Sequence, residues 1–287
     1  MRVANRAREA VLELPIMLSA GMIAPGEAYL RDTPLLRGHA GTQPDLFLRW
    51  NAIPLDAASV DVVVHLHGFS RAGRAMPLAE KVVRGGLDLT RRTRPTLALL
   101  PRGNWLRYTW YDFPALLDGG LDRLVDYGLE RFAAALPASA VAGRTADRLI
   151  LTAHSGGGMP AIDAIAAAHQ SPDELYVFDG LYGRDPATGD PMRGLETVDR
   201  WLGRRLAAEP ERQGALRIIY IEQQTGPFSR RVGELIARRL AGLDPPAAAI
   251  LRRRYRVEPS AVPHARIAER CGPDLLAAAD IDFDRSR

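Results

Sequence analysis

Short apolar runs alternate along the chain with stretches in which apolar residues recur every three or four positions. Seven runs have the length of β-strands: Asp45–Trp50, Asp61–His67, Thr96–Pro101, Asp147–Ala153, Glu174–Asp179, Ala215–Glu222 and Arg252–Glu258. Five helical stretches lie between them: Met76–Gly85, Gly119–Leu136, Gly156–His169, Arg193–Ala208 and Ser229–Ala241. Strands that alternate with helices predict βαβ units. We therefore expect an α/β fold with a mostly parallel central sheet and helices on both faces.

The chain shows no composition break, repeat or linker, so residues 45–287 are predicted to form one domain. Residues 1–44 are expected to form an arm or helix that packs on this domain. Within them only Leu14–Ala24 is free of charge, which is too short to span a bilayer, so no transmembrane segment is predicted. Basic residues ahead of this apolar run keep an export signal open as an alternative.

Charge and cysteine content limit the kinds of ligand and macromolecule that the chain is expected to bind. The net charge is +4, and the basic residues are arginines except for a single lysine, Lys81. The arginines are scattered without interleaved aromatic residues, so a nucleic-acid partner is not expected. Cys271 is the only cysteine, so an internal disulfide is excluded and a cysteine-ligated metal is not implied. Cysteine usage favours a cytoplasmic location.

A serine lies at the junction between a predicted strand and a predicted helix. In LILTAHSGGG, residues 149–158, an apolar run leads into Ser155, and three glycines then open an alanine-rich helix. A serine at the tip of so tight a turn has a strained backbone, so the residues two positions before and after it must be small. Ala153 and Gly157 meet this need. The free N–H groups at the helix start would face a negative oxygen that develops beside Ser155.

This segment resembles the nucleophile elbow of α/β-hydrolases, the pattern GxSxG, with an alanine in place of the first glycine. A second segment, VDVVVHLHGFS at residues 60–70, is similar to the His-Gly oxyanion loop after the third strand of the same fold. The resemblance implies an α/β-hydrolase fold and an esterase-like or lipase-like serine hydrolase. It also implies that the backbone N–H groups of Phe69 and Gly156 converge on one oxyanion, where such donors contribute about 3 to 4 kcal/mol each.

Two acidic residues are candidates for the third member of a catalytic triad. Asp179 ends the strand after the nucleophile helix, at the edge where parallel sheets gather active-site groups. Glu222 ends the following strand, which is the more frequent place for the acid in this family. We favour Asp179 because a short carboxylate beside a glycine is more easily aimed, and Glu222 remains the alternative acid.

The base is sought among six histidines. His169 is 14 residues beyond Ser155, or about 21 Å along a helix, and cannot reach it. His65 lies inside a strand, His39 precedes the predicted sheet, and His154 is expected to point to the other side of the strand end. His264 follows the last strand in a loop and completes the chain order Ser155, Asp179, His264 of the α/β-hydrolase triad.

Two further features concern the substrate. Only 35 residues, 180–214, separate the sixth and seventh strands of the fold and one helix occupies about half of them, so the lid should be small or absent. An aromatic cluster follows the strand Thr96–Pro101 and is a candidate substrate wall able to stack on a sugar ring or an aryl acid: Trp105, Tyr108, Trp110 and Tyr111. The alternative is that these rings pack the N-terminal arm against the sheet.

The sequence thus predicts a serine hydrolase that cleaves a carboxylic ester through an acyl-Ser155 intermediate and needs no cofactor or metal. The expected substrate is a small-molecule or carbohydrate-linked ester. One alternative is a metal-dependent hydrolase that uses His65, His67 and His154, because three histidines can hold zinc. Another is a binding protein that keeps the fold without the catalysis, which the intact serine, acid and histidine argue against.

Overall fold

The computed structural model describes residues 18–19, 21–108, 110–136, 145–182 and 194–284. Its central sheet has eight strands: β1 (Gly26–Leu30), β2 (Leu46–Trp50), β3 (Ser59–Leu66), β4 (Thr96–Pro101), β5 (Thr145–His154), β6 (Glu174–Phe178), β7 (Ala215–Tyr220) and β8 (Tyr255–Pro259). The order across the sheet is β8-β7-β6-β5-β3-β4-β2-β1. Of these eight, β2 runs antiparallel to both of its neighbours, and the other pairs are parallel.

Seven α-helices accompany the sheet in the described part of the chain: α1 (Leu78–Arg84), α2 (Gly120–Ala134), α3 (Gly158–Ala167), α4 (Leu195–Leu206), α5 (Gly226–Leu240), α6 (Pro245–Arg254) and α7 (Ile267–Asp284). The sheet separates two hydrophobic cores. Val62 and Val64 of β3 pack in the core with α2 to α6, and Val63 between them packs in the core with α1 and α7. Successive strand residues point to opposite faces, so a sheet covered on both faces requires the continuous apolar runs of this sequence.

Shorter elements flank the sheet. Leu18–Ser19, Met22–Ile23 and Ile53–Pro54 form a small antiparallel sheet. Asn104–Trp105 pairs with Tyr111–Asp112 as a hairpin after β4. Among the described residues, no helix has the length and apolar character needed to cross a membrane.

The predicted mostly parallel sheet with helices on both faces is confirmed. Two elements differ from the prediction. The central sheet includes β1, which lies in the segment expected to be an arm, because Ala28 and Leu30 alternate into the core. Arg252 to Arg254, predicted to begin the last strand, instead end α6.

The lid prediction falls partly on residues 183–193, which lie outside the described residues. In the rest of the segment between β6 and β7, a single helix, α4, forms about half of the described residues.

Candidate active site

Ser155 follows the last residue of β5 directly and has a φ of 54°, in the left-handed region. The turn is possible because its neighbours have almost no side-chain volume. A Cβ atom on Gly157 would overlap the carbonyl oxygen of Leu66, and a Cβ on Gly68 would lie 2.6 Å from that of Ser155. Ala153, in place of the family's first glycine, is fully buried in the sheet. The end of β3 therefore packs directly against the nucleophile turn.

Ser155, His264 and Asp179 form a continuous chain of hydrogen bonds. The Oγ atom of Ser155 lies 2.8 Å from Nε2 of His264, and Nδ1 of His264 lies 2.6 Å from Oδ2 of Asp179. His264 opens a single helical turn just before α7, after the loop that leaves β8. The three residues predicted as a triad, 24 and 85 positions apart in sequence, are thus brought together at the carboxyl ends of the strands.

The Asp179 carboxylate is buried and held from three sides. Its Oδ1 accepts hydrogen bonds from the backbone N–H of Ile221, at 2.9 Å, and from the hydroxyl of Thr225. Burial alone would raise the pKa of Asp179, but the hydrogen bonds from His264, Thr225 and Ile221 outweigh it, so the pKa is lowered. The side chain is therefore a carboxylate at neutral pH and can orient the His264 ring.

Glu222, the alternative acid, is placed differently. Its side chain is 52% exposed and forms an ion pair with Arg230 at the start of α5. The residue that contacts Nδ1 of His264 is Asp179.

Phe69 and Gly156, the predicted oxyanion donors, lie close together beside Ser155. A Cβ atom built on Gly156 would lie 3.8 Å from the Phe69 nitrogen. Gly156 is the second residue of the single helical turn Ser155–Gly157, where N–H groups lack a partner within the helix. An oxyanion hole formed by these two amides stays a prediction.

His67 contacts the peptide group that contains the Phe69 N–H. Its Nε2 accepts a hydrogen bond from the N–H of Gly103 at 2.9 Å, and its Nδ1 lies 2.9 Å from the carbonyl oxygen of Gly68. Burial, the largest cause, lowers the pKa of His67 to about 3, so the ring is neutral and Nδ1–H donates to that oxygen. The Gly68 carbonyl and the Phe69 N–H belong to one trans peptide and point in opposite directions. The hydrogen bond at the carbonyl therefore helps to direct the N–H.

His154 does not point away from the site, contrary to the prediction. Its ring centroid lies 5.0 Å from that of His264, and its Nε2 donates to the His264 backbone carbonyl at 2.9 Å. Burial, followed by the nearby His264, lowers the pKa of His154 to about 4. The reason for the difference is tertiary: the loop after β8 crosses the end of β5 and covers the His154 ring.

The sequence interpretation missed two residues in the site. The hydroxyl of Tyr182 lies 3.2 Å from Ser155 Oγ, and burial raises its pKa, so it is protonated. The ammonium group of Lys81 donates to the carbonyl oxygen of Phe69, and the residue is 4% exposed. No local pattern marks Tyr182. Lys81 is marked only by being the one lysine among many arginines.

A cavity of about 510 Å³ opens beside Ser155, His154 and His264. None of the four aromatic residues predicted as a substrate wall lines it.

The aromatic residues lie around the hairpin that follows β4. Tyr111 is buried, with its ring centroid 5.0 Å from that of His67 and its hydroxyl bonded to the Gly73 carbonyl. Tyr111 therefore packs in the interior rather than presenting a free face. The Trp105 indole donates to the Tyr108 carbonyl at 2.9 Å, while the side chains of Tyr108 and Trp110 are exposed. A substrate contact by Trp105, Tyr108 or Trp110 stays a prediction.

The alternative metal site was predicted at His65, His67 and His154. In the part of the chain that the structure describes, no group of three or more histidine, cysteine or acidic residues is arranged to hold a metal ion. His65 uses Nδ1 for a 2.8 Å hydrogen bond with Thr152, and both ring nitrogens of His67 are engaged.

No protein-family model and no curated protein matches this sequence. Solved structures with similar folds include an S-formylglutathione hydrolase from Agrobacterium tumefaciens, at 13% identity and a TM-score of 0.49 over 93% of this chain and 98% of that one. Carboxyl esterase 2 from Tuber melanosporum has 12% identity and a TM-score of 0.44 over 96% and 89%. An α/β serine hydrolase without a lid from Xanthomonas campestris has 15% identity and a TM-score of 0.39 over 95% and 98%.

These TM-scores are below 0.5, so the fold follows from features of the chain itself. The strand carrying the nucleophile is flanked by β3 and β6, the serine lies in a left-handed turn between strand and helix, and a histidine follows the last strand. This chain therefore has the α/β-hydrolase fold.

Proposed function

We propose that this chain is a serine hydrolase that cleaves a carboxylic ester through an acyl-Ser155 intermediate. The observation that carries the proposal is the hydrogen-bond chain from Ser155 through His264 to Asp179, with distances of 2.8 Å and 2.6 Å. A nucleophile, a base within reach of its proton and a buried carboxylate that orients the base are the parts that acyl transfer requires.

In the first half of the reaction, Ser155 Oγ attacks the ester carbonyl while neutral His264 takes its proton at Nε2. The Asp179 carboxylate stabilises the imidazolium that forms. The N–H groups of Phe69 and Gly156 stabilise the negative oxygen of the tetrahedral intermediate. Collapse of this intermediate breaks the ester C–O bond, and the alcohol leaves with the proton from His264.

In the second half, water attacks the acyl-Ser155 carbonyl while His264 removes one of its protons. Collapse of the second tetrahedral intermediate releases the carboxylic acid and returns the proton from His264 to Ser155. The balance is one ester and one water to one acid and one alcohol, and no cofactor takes part. We propose a small-molecule or carbohydrate-linked ester as the substrate.

A fluorophosphonate probe tests this proposal, because it reacts with an activated serine. We expect one adduct per chain, on Ser155. Ser155→Ala should abolish labelling and lower kcat for an aryl acetate by about 10⁶, as in other serine hydrolases. Ser171→Ala, in the loop before β6, is the control and should keep both properties. An adduct on another serine, or turnover that survives Ser155→Ala, would refute the assignment.

A further inference from the structure

The cavity beside Ser155 has an excess of positive charge. Three cationic side chains line it, Arg71, Lys81 and Arg84, together with one carboxylate, Glu80. Arg71 follows the oxyanion loop, while the other three lie on α1. A cavity with one sign of charge raises the local concentration of oppositely charged molecules.

The single carboxylate is already engaged. Glu80 accepts hydrogen bonds from the hydroxyl of Ser70 at 3.1 Å and 3.2 Å, and it lies 3.5 Å from the Lys81 ammonium. The Lys81 ammonium in turn donates to the Phe69 carbonyl. The charges of Glu80 and Lys81 therefore largely compensate each other, which leaves Arg71 and Arg84 as the uncompensated cations.

Both arginines are exposed, and neither has a carboxylate within 4.0 Å in the part of the chain that the structure describes. Glu269 on α7 is close enough to Arg84 for their charges to interact. Its carboxylate is ion-paired with Arg266 at 3.2 Å. The guanidinium groups at the cavity are thus available to an anion, and a guanidinium binds a carboxylate with two parallel hydrogen bonds.

Three of the four histidines that line the cavity, His65, His67 and His154, add no positive charge at neutral pH. Burial is the main cause that lowers the pKa of His65, of His67 to about 3, and of His154 to about 4. The excess positive charge at the cavity therefore comes from Arg71 and Arg84.

We propose that this cavity is a subsite for a negatively charged group of the substrate, and that the natural substrate is an ester carrying a carboxylate bound by Arg71 and Arg84. The inference rests on the proposed function, because it names the substrate class of the same site. A carboxylate in this cavity would anchor the ester beside Ser155, and the uncompensated arginines would attract it from solution.

Matched pairs of aryl esters test the proposal. The first pair places the charge on the acyl side: the mono-p-nitrophenyl ester of glutaric acid against p-nitrophenyl valerate. The second places it on the alcohol side: 4-acetoxybenzoate against 4-acetoxybenzamide. We expect kcat/KM to be at least tenfold higher for the anionic member of one pair, and the pair that shows it tells which side of the ester enters the cavity. This preference should decline as salt is added, since the arginines are exposed.

Arginine variants connect the preference to the cavity. Arg84→Gln and Arg71→Gln should each lower the ratio of anionic to neutral kcat/KM roughly fivefold, the scale of an exposed charge pair. Arg84→Glu should reverse the preference. Arg238→Gln is the matched control, because it removes one exposed arginine on α5 outside the cavity lining and should leave the ratio unchanged.

A binding measurement gives a readout independent of turnover. Glutarate should raise the Tm of the wild type and of Ser155→Ala, and should raise it less in the Arg71→Gln/Arg84→Gln double variant. If neutral esters are hydrolysed through Ser155 with no anionic preference and glutarate has no effect on Tm, the subsite is refuted and the proposed function stands. If glutarate binds through the arginines but no ester is cleaved and no probe labels Ser155, the hydrolase proposal fails instead.

Discussion

Asp179 is held as an anion by its own surroundings, and this gives a test of its role. The hydrogen bonds from Ile221 and Thr225 fix its position and lower its pKa against the effect of burial. An asparagine would keep the shape but could not stabilise the His264 imidazolium, and its amide would favour the wrong tautomer of the ring. We expect Asp179→Asn to lower kcat by about 10⁴, the effect in the chymotrypsin triad, in steady-state assays on an aryl ester.

Glu222→Gln is the control for this variant. Glu222 is half exposed and paired with Arg230, so we expect its replacement to change kcat less than twofold and stability within about 0.5 kcal/mol. A larger loss in Glu222→Gln than in Asp179→Asn would assign the acid to the strand β7 instead.

The members of the site differ in how far sequence could indicate them. Ser155 was indicated by the small residues its turn requires, and the geometry explains why, since Gly68 and Gly157 touch other backbone. The positions of His154 and Tyr182 depend on where the loop after β8 and the segment after β6 come to lie. The contact of His154 joins residues 110 positions apart, and that of Tyr182 joins residues 27 positions apart. The local pattern of apolar and polar residues carries no information about contacts over such distances.

At the scale of elements, the approach of β3 to the turn between β5 and α3 depends on Gly157. Its φ is −75°, which any residue can adopt, so the requirement for glycine is one of space. A Cβ there would overlap the Leu66 carbonyl oxygen and lie 3.0 Å from that of His67. Gly157→Ala should destabilise the protein by about 2 kcal/mol and reduce kcat, because Phe69 would move with β3 away from Gly156. Urea unfolding and ester assays measure the two effects.

Gly233→Ala is the matched control on α5. A Cβ at position 233 would lie 3.7 Å from Val257 Cβ, an ordinary contact, so the alanine should fit. Because glycine is unfavourable inside a helix, we expect a gain of about 0.5 to 1 kcal/mol in the free energy of unfolding, with kcat unchanged. If both substitutions destabilise equally, the space at Gly157 is not the special feature inferred here.

Elements at the edges of the fold were harder to predict than those in the centre. Strands that are buried on both faces, such as β3 to β7, consist of nearly continuous apolar residues, and these runs can be recognised in the sequence. The edge strand β1 has only Ala28 and Leu30 buried, with an exposed Tyr29 between them. Helix α6 begins with two prolines after Asp244, whose side chain accepts a hydrogen bond from the N–H of Ala247 at 3.2 Å. The charged C-terminal end of this helix is held in the fold because Leu251 and Arg254 are buried.

At the scale of the whole molecule, the site is assembled at one end of a sheet by loops from four strands. The amide of Phe69 comes after β3, Ser155 after β5, Asp179 after β6 and His264 after β8. Parallel strands share this edge, so side chains distant in sequence converge without a separate domain. The same convergence buries His65 and His67 and partly covers His154, and the lowered pKa values of these histidines make the stability of the fold depend on pH.

The pH dependence of stability follows from the lowered histidine pKa values. The pKa values of His67 and His154 are about 3 and about 4 in the folded protein, against the ordinary histidine value of 6.5 in the unfolded chain. Below pH 6.5 the unfolded chain therefore binds more protons than the folded one, so the free energy of unfolding falls as pH falls. Each such histidine contributes a slope approaching 1.4 kcal/mol per pH unit until its folded pKa is reached. Above pH 7 both states are neutral at these sites, and they contribute no slope.

Urea titrations between pH 8 and 4.5 measure this effect, and the difference between the wild type and a histidine variant cancels the carboxylates that titrate at the lower end of the range. We expect His67 and His154 each to lower the free energy of unfolding of the wild type by about 2.6 kcal/mol over this range. His154→Gln removes one titrating group. Between pH 6 and 4.5, the slope of its free energy of unfolding against pH should therefore be smaller than that of the wild type, by the equivalent of about one proton. Above pH 7 the two curves should be parallel. A His154→Gln curve parallel to the wild type at every pH would mean that folding does not lower the pKa of His154, which would contradict the prediction.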